Sequence, residues 1–174
     1  MKTVVVLRHA ERQDRSIPQS HLSQAGIEQA RVMSARFDRF DFVVASTSPR
    51  AFETAIAMGF AVDIAHPSIE QHSEQIMRDV AEIGGFSAWA AAYRSKSSVI
   101  AYTDHVTSLL KIWLEKVPEG GSLLVVTHGG IVEALATGLL PDSDLTELGG
   151  WADYAEGFMA VEFGEGFELT PLRR

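Results

Sequence analysis

Two stretches of the chain end an apolar, β-branched run in a histidine: Val4-Val5-Val6-Leu7-Arg8-His9 and Leu124-Val125-Val126-Thr127-His128. A third run, Phe42-Val43-Val44-Ala45, ends in Ser46 and soon reaches Arg50. In open α/β sheets ligands bind beyond the carboxyl ends of the strands, and neighbouring strands lie about 5 Å apart. Three such ends can bring two imidazoles and two guanidiniums into one crevice. Guanidiniums repel a divalent cation but suit a dianionic phosphoryl group, to which arginine offers planar, bidentate donors and a permanent charge. An imidazole that attacks phosphorus must be neutral. Its ordinary pKa is about 6.5, and nearby guanidinium charge pushes it down. One ring nitrogen must be held as a donor so that the other presents its lone pair. His9 leaves its strand on a tight exit where a backbone carbonyl can hold the ring. His128 precedes Gly129-Gly130 at a helix start, where amide groups and the helix dipole favour an anion. Each residue alone is ordinary at such a position; the combination is not.

The elements that must position these residues follow from pattern. Thr3–Leu7 reads as a strand buried on both faces, as in a mainly parallel sheet. A polar loop runs to about His21, and Ser23 is placed to cap a helix reaching about Asp38, with Ile27, Ala30, Met33 or Ser34, and Phe37 on its apolar face. Phe42–Ala45 is a second strand, followed by a helix with Ser48 as N-cap and Pro49 in its first turn, ending near Gly59. Ala61–Ala65 is a third, edge strand. Short helices are predicted around 71–81 and 87–93, and a longer amphipathic one over Tyr102–Lys116. Ser122–Thr127 is the clearest buried strand, and Ile131–Leu139 a helix. Phe158–Phe163 and Phe167–Leu172 can pair across Gly164-Glu165-Gly166. Alternating strands and helices predict a three-layer α/β/α sandwich on a mainly parallel central sheet, in a single domain over residues 1–174.

The totals exclude several classes. With no cysteine, disulfides, thiolate zinc sites and a cysteine nucleophile are ruled out. A net charge of −8 argues against nucleic-acid binding. The charge is uneven: residues 1–50 carry eight Lys/Arg against five Asp/Glu, whereas Pro141–Glu168 carries eight acidic residues and no Lys or Arg. A basic N-terminal third suits a focused anion pocket. No apolar run approaches the roughly 20 residues of a membrane span, and the N-terminus lacks a secretory pattern. A cytoplasmic protein without membrane partners is expected.

The motifs resemble those of the histidine phosphatase superfamily, the phosphoglycerate mutase-like fold, and its small phosphatase branch in particular. Leu7-Arg8-His9-Ala10-Glu11 is similar to the first motif, which usually carries Gly where Ala10 stands. Leu22–Ala30 resembles an L-[ST]-x-x-G-x-x-Q-A stretch, Ser48–Ala55 a shortened S-P-x-x-R-A-x-x-T-A element, and Val125–Gly130 a V-[ST]-H-G-G motif. The resemblance implies that His9 is phosphorylated transiently, with Arg8, Arg50, His128 and Gly129 holding the phosphoryl group. It implies a general acid from the segment after the third strand. Glu82, in a stretch resembling E-[IL]-x-x-G-x-W, is the first choice, Glu74 and Glu70 are alternatives, and Glu11 is read as loop support. Phosphoryl transfer is mostly positioning and electrostatic stabilisation, so neither metal nor other cofactor is expected.

The substrate is then a phosphorylated small molecule or phosphoprotein, with oligomeric state open. A catalytically weak phosphate-binding or phosphoprotein-recognition module of the same fold is the alternative. A metallohydrolase built on His9, His128 and one of His66, His72 or His105 lacks H-x-x-x-H-type spacing, and the arginine pair disfavours it.

Overall fold

Three valines between Thr3 and Leu7 crowd the backbone towards extended geometry, and the stretch forms β1 (Thr3–Arg8), buried along its length. The computed structural model describes residues 1–80 and 84–174. The remaining strands are β2 (Phe42–Ser46), β3 (Ile64–His66), β4 (Ser122–Thr127), β5 (Gly157–Phe163) and β6 (Gly166–Leu172). They form one sheet in the order β3-β2-β4-β1-β5-β6. The first four run parallel, and β5 and β6 join antiparallel at the β1 edge. The sheet is therefore mixed, with the predicted parallel centre and hairpin.

Helices cover both faces. On one side lie α1 (Gln24–Ser34) and α2 (Pro49–Ala57), packed on Val5, Leu7, Val43, Ala45, Leu124 and Val126. On the other lie α3 (Glu74–Val80), α4 (Gly85–Tyr93), α5 (Ser97–Glu115) and α6 (Ile131–Leu139), around Val4, Val6, Val44, Leu123 and Val125. Successive strand residues thus alternate between two cores, as the pleat requires. Phe86 and Trp89 are fully buried in the larger core, each stabilising the fold by roughly 1.5–3 kcal/mol. This is the expected three-layer sandwich. No helix among the described residues is long and apolar enough to cross a membrane.

Several boundaries differ from the sequence reading. The helix expected to reach Asp38 stops at Ser34, where tight turn bonds from Arg36 N–H to the Met33 carbonyl and from Phe37 N–H to the Ser34 carbonyl end it. The edge strand lies at Ile64–His66 rather than Ala61–Ala65, in register with Val44–Ser46. The long helix begins at Ser97, a turn before Tyr102, because Val99 is needed in the core. Ser48 does stand at the N-cap of α2, with Pro49 first in the helix, but its hydroxyl makes no capping bond. Ser23 does cap α1, accepting from Gly26 N–H at 3.0 Å.

Candidate active site

The site begins with strand register. Arg8 of β1 pairs with Thr127 of β4, and His9 N–H donates to the Thr127 carbonyl at 2.8 Å. His9 and His128 therefore leave adjacent strands at the same level. Their ring centroids lie 5.0 Å apart, and both rings are buried, 4% and 7% exposed.

Arg50, one residue into α2, reaches between the two rings. Its Nε donates to His9 Nε2 at 3.2 Å, and its Nη2 to His128 Nδ1 at 3.2 Å. A guanidinium can only donate, so both of these ring nitrogens carry lone pairs. The other nitrogens are then donors: His9 Nδ1–H to the Ala10 carbonyl at 2.7 Å, and His128 Nε2–H to Ser46 Oγ at 2.6 Å. The backbone carbonyl expected to hold His9 is that of Ala10. This residue needs no left-handed backbone, so alanine replaces the usual glycine without strain. Arg50 is itself steadied by the Pro18 carbonyl, which accepts from Nη1.

Burial is the main reason the His9 ring stays neutral, holding its pKa down at about 3. The bond to Ala10 opposes this, while Arg50, Arg8 and Arg12 add to it. His128 is pushed down in the same way, first by burial, then by His9 and the same arginines.

Arg8 approaches from the other side. Its Nη1 donates to the Ala152 carbonyl at 2.9 Å, and its guanidinium carbon lies 4.5 Å from the centre of the Tyr154 ring. Its Nε is buried and without a partner among the described residues. Gly129 packs against the same guanidinium, where a Cβ would sit 3.6 Å from it. Gly130 adopts φ 86°, and a Cβ there would strike the His72 ring, so this turn requires glycine. A hollow of about 220 Å³ lined by Arg8, Met77, Gly129, Gly130 and Trp151 opens beside it.

The predicted residues Arg8, His9, Arg50, His128 and Gly129 thus converge. Glu82 lies outside the described residues. Glu70 follows the turn at the end of β3, whose Ile69 carbonyl accepts from Thr127 Oγ1 at 2.6 Å. Its carboxylate accepts from Thr47 Oγ1 and Gln19 Nε2, and it partly offsets the downward shift of Arg50. Glu74 points away, 94% exposed and paired with Arg78. Glu11 accepts from Ser23 Oγ at 2.7 Å, in the loop-supporting place expected. Among the described residues, no three His, Asp or Glu side chains gather as a metal site. His66 packs on Trp113 and His72 on Trp89.

Sequence reasoning missed four contributors. Thr54 Oγ1 accepts from Ala10 N–H at 2.9 Å and donates to the Arg50 carbonyl at 2.7 Å, tying the His9 loop to the Arg50 helix. Glu133 is fully buried and accepts from Gly130 N–H at 2.7 Å and Ala152 N–H at 2.8 Å. Burial pushes its pKa up and these bonds hold it down. Tyr154 lies 5.6 Å from His9, ring to ring. Arg12 acts on His9, His128 and Arg50 through its charge. Two left a signal: Glu133 as an acid three residues into a helix that opens with glycine, and Thr54 as the threonine of the Ser48–Ala55 element.

A family model for the histidine phosphatase superfamily (branch 1) matches residues 4–166. No curated protein matches the chain. Among solved structures, the chain is similar to a phosphoserine phosphatase from Entamoeba histolytica in complex with 3-phosphoglyceric acid, with TM-score 0.72 and 15% identity over 100% of this chain and 98% of that one. It is similar to a mycobacterial glucosyl-3-phosphoglycerate phosphatase, with TM-score 0.67 and 21% identity over 97% and 96%. It also resembles the alpha-ribazole phosphatase from Shigella flexneri, with TM-score 0.65 and 18% identity over 98% and 95%. These likenesses establish the fold, and with the family model spanning both histidine strands the chain belongs to the histidine phosphatase superfamily, branch 1.

Proposed function

We propose that this chain is a phosphatase that hydrolyses phosphomonoesters through a transient phosphohistidine on His9. The observation that carries the reading is the shared guanidinium. Arg50 meets the lone pairs of both rings at 3.2 Å, so a nucleophilic nitrogen and an anion-binding charge stand side by side.

In the first half-reaction the His9 Nε2 lone pair forms a bond to phosphorus, the ester P–O bond breaks, and the leaving oxygen takes a proton. In the second, water attacks phosphorus, gives a proton to the same acid–base group, and breaks the P–N bond to release orthophosphate. Arg8, Arg50, His128 and the Gly129 backbone hold the phosphoryl oxygens throughout. Preorganised donors of this kind supply most of the catalysis in phosphoryl transfer. The Ser46 hydroxyl can accept from His128 Nε2–H or donate to Nε2. His128 can therefore present Nδ1–H to an oxyanion that displaces Arg50. With guanidiniums neutralising the dianion, no metal is needed.

For the proton donor Glu82 stays the first choice from the resemblance, and of its two alternatives we favour Glu70 over Glu74. Glu70 stands at the rim of the sheet on the Arg50 side, while Glu74 faces solvent. The substrates named for the structural neighbours, phosphoserine, glucosyl-3-phosphoglycerate and alpha-ribazole phosphate, favour a phosphorylated small molecule over a phosphoprotein.

The test is turnover of an aryl phosphate with and without chelator. Turnover that survives chelation, disappears in His9→Ala, and proceeds through an acid-labile phosphoenzyme absent from His9→Gln supports the reading. Phosphate binding without turnover of any phosphomonoester overturns it in favour of a recognition module. Glu70→Gln should slow alkyl phosphates far more than aryl phosphates, whose leaving groups need little protonation.

A further inference from the structure

Glu133 is an unexpected group to find behind a site for anions. Among the described residues it is the one fully buried carboxylate. Burying a carboxylate is costly unless its oxygens are met by donors. Here both are used: Oε2 accepts from Gly130 N–H at 2.7 Å and Oε1 from Ala152 N–H at 2.8 Å. The first bond is an ordinary cap, made from the first turn of α6. The second, to a loop nineteen residues on, serves no cap.

The two amides belong to two separate parts of the phosphoryl site. Gly130 completes the turn that carries His128 and Gly129. Ala152 supports Arg8: its carbonyl accepts from Arg8 Nη1 at 2.9 Å, and the Tyr154 ring, two residues on, lies 4.5 Å from the same guanidinium carbon. One carboxylate thus ties the His128 turn to the Arg8 support. By charge alone it works against the site. Burial pushes its pKa up, and the backbone bonds and the charge of Arg8 hold it down. That same attraction cancels part of the field with which Arg8 would draw an anion, and a carboxylate in the first turn of α6 offsets the positive end of the helix. What Glu133 supplies is position.

We propose that Glu133 is a positioning residue for phosphoryl transfer: through Gly130 and Ala152 its carboxylate fixes the His128 turn against Arg8, and so sets the span across which a phosphoryl group is held. This deepens the phosphatase reading and rests on it.

Charge and reach can be separated. Glu133→Gln keeps the length, loses the charge and accepts at only one oxygen. Glu133→Asp keeps the charge and loses the reach. Orthophosphate binding, followed by calorimetry below the thermal midpoint of each variant, should weaken by about tenfold in both. On an aryl phosphate kcat should fall by about 10- to 100-fold, the scale of a misplaced contact, with a smaller rise in KM. In an Arg8→Gln background no span is left to hold, and the further loss of phosphate affinity from Glu133→Gln should shrink to below about threefold. Tighter phosphate binding in Glu133→Gln would show that charge outweighs position. Unchanged binding in either variant, despite lost stability, would leave Glu133 a group of the fold alone, and full additivity with Arg8→Gln would break the link to Arg8. Each of these overturns the proposal, as does failure of both variants to fold. If the wild type binds orthophosphate but turns over no phosphomonoester, the phosphatase reading itself fails, a result distinct from any difference among the variants.

Discussion

Acidification should destabilise the fold through His9 and His128 by an amount that can be worked out. Both rings are held neutral in the folded chain, His9 with a pKa lowered to about 3 and His128 lowered likewise, in each case first by burial. In the unfolded chain each titrates near 6.5. Between these values the unfolded state binds protons that the folded state refuses. The stability contributed by the neutral rings is therefore whole above pH of about 6.5 and is lost as the pH falls through that value towards the folded pKa. At pH 5 nearly all of the unfolded imidazole is charged, and each ring costs about 2 kcal/mol relative to pH 8. This figure depends on the unfolded pKa, because the folded values lie well below 5. With the rings 4% and 7% exposed, solvent screening removes little of it, and the pair together costs about 4 kcal/mol.

Urea unfolding at pH 8, 6.5 and 5, in buffers without phosphate, measures this. With an m-value of about 2 kcal/mol per M, 4 kcal/mol moves the midpoint by about 2 M. The comparison protein is the His9→Asn/His128→Gln double variant. His72, whose pKa burial also lowers, and the carboxylates titrate in both proteins and cancel. The stability difference between wild type and variant should shift by about 4 kcal/mol over the pH range. Parallel curves would show that the rings are not held neutral, and the argument for a lone pair ready on His9 would go with them.

Three further outcomes follow from the supports of the site. Thr54→Val orphans Ala10 N–H and removes the second donor on the Arg50 carbonyl, costing about 1–3 kcal/mol in urea unfolding and lowering kcat/KM; a loss of stability without loss of activity would refute the link it is given between loop and helix. Glu133→Ala leaves Gly130 N–H and Ala152 N–H buried and unpaired, at a cost of about 2–5 kcal/mol, with Glu133→Gln intermediate; equal stability of the two variants would contradict this. Gly26→Ala drives a Cβ into the Glu11 carbonyl oxygen, and for overpacking of about 1–3 kcal/mol the thermal midpoint should drop by several degrees. An unchanged midpoint would mean that the loop yields freely.

The sequence was most legible where one constraint acted alone. β1 and β4 are buried on both faces, so their apolar runs announced them, and their polar ends announced the histidines. Pro49 fixed the start of α2 and so the place of Arg50. The boundary of α1 was harder to read, because Phe37 continues the helical spacing yet sits in the turn that follows. Tyr154 was invisible for a geometric reason. It reaches His9 from a loop brought in by antiparallel pairing of Leu7 with Gly157, and its neighbour Ala155 takes φ 54°, which alanine does not advertise. Arg12 read as an ordinary loop charge, since its effect is felt through space and not through spacing. Of the two alternatives to Glu82 for the proton donor, the sequence could not rank Glu70 above Glu74. What separates it from Glu74 is the bond between Thr127 and the Ile69 carbonyl, a contact across strands.

The site also shows why burial and charge have to be read together. Guanidiniums alone keep an imidazole neutral only weakly at a wet surface, where salt and water screen them. Burial alone would keep it neutral but would offer a phosphoryl group nothing to bind. Setting His9 and His128 on adjacent parallel strands buries both rings at a fixed spacing, and Arg50 then holds their lone pairs until an anion arrives. On the proposed reading a bound dianion would reverse the field: it would compensate Arg8 and Arg50, free His9 Nε2 for attack, and favour a proton on the ring of His128 that the arginines oppose. Dianion binding and proton uptake by the His128 ring would then be coupled with one sign. On that reading, acid would weaken the fold through the same neutral, guanidinium-faced pair of rings that a phosphoryl dianion would engage.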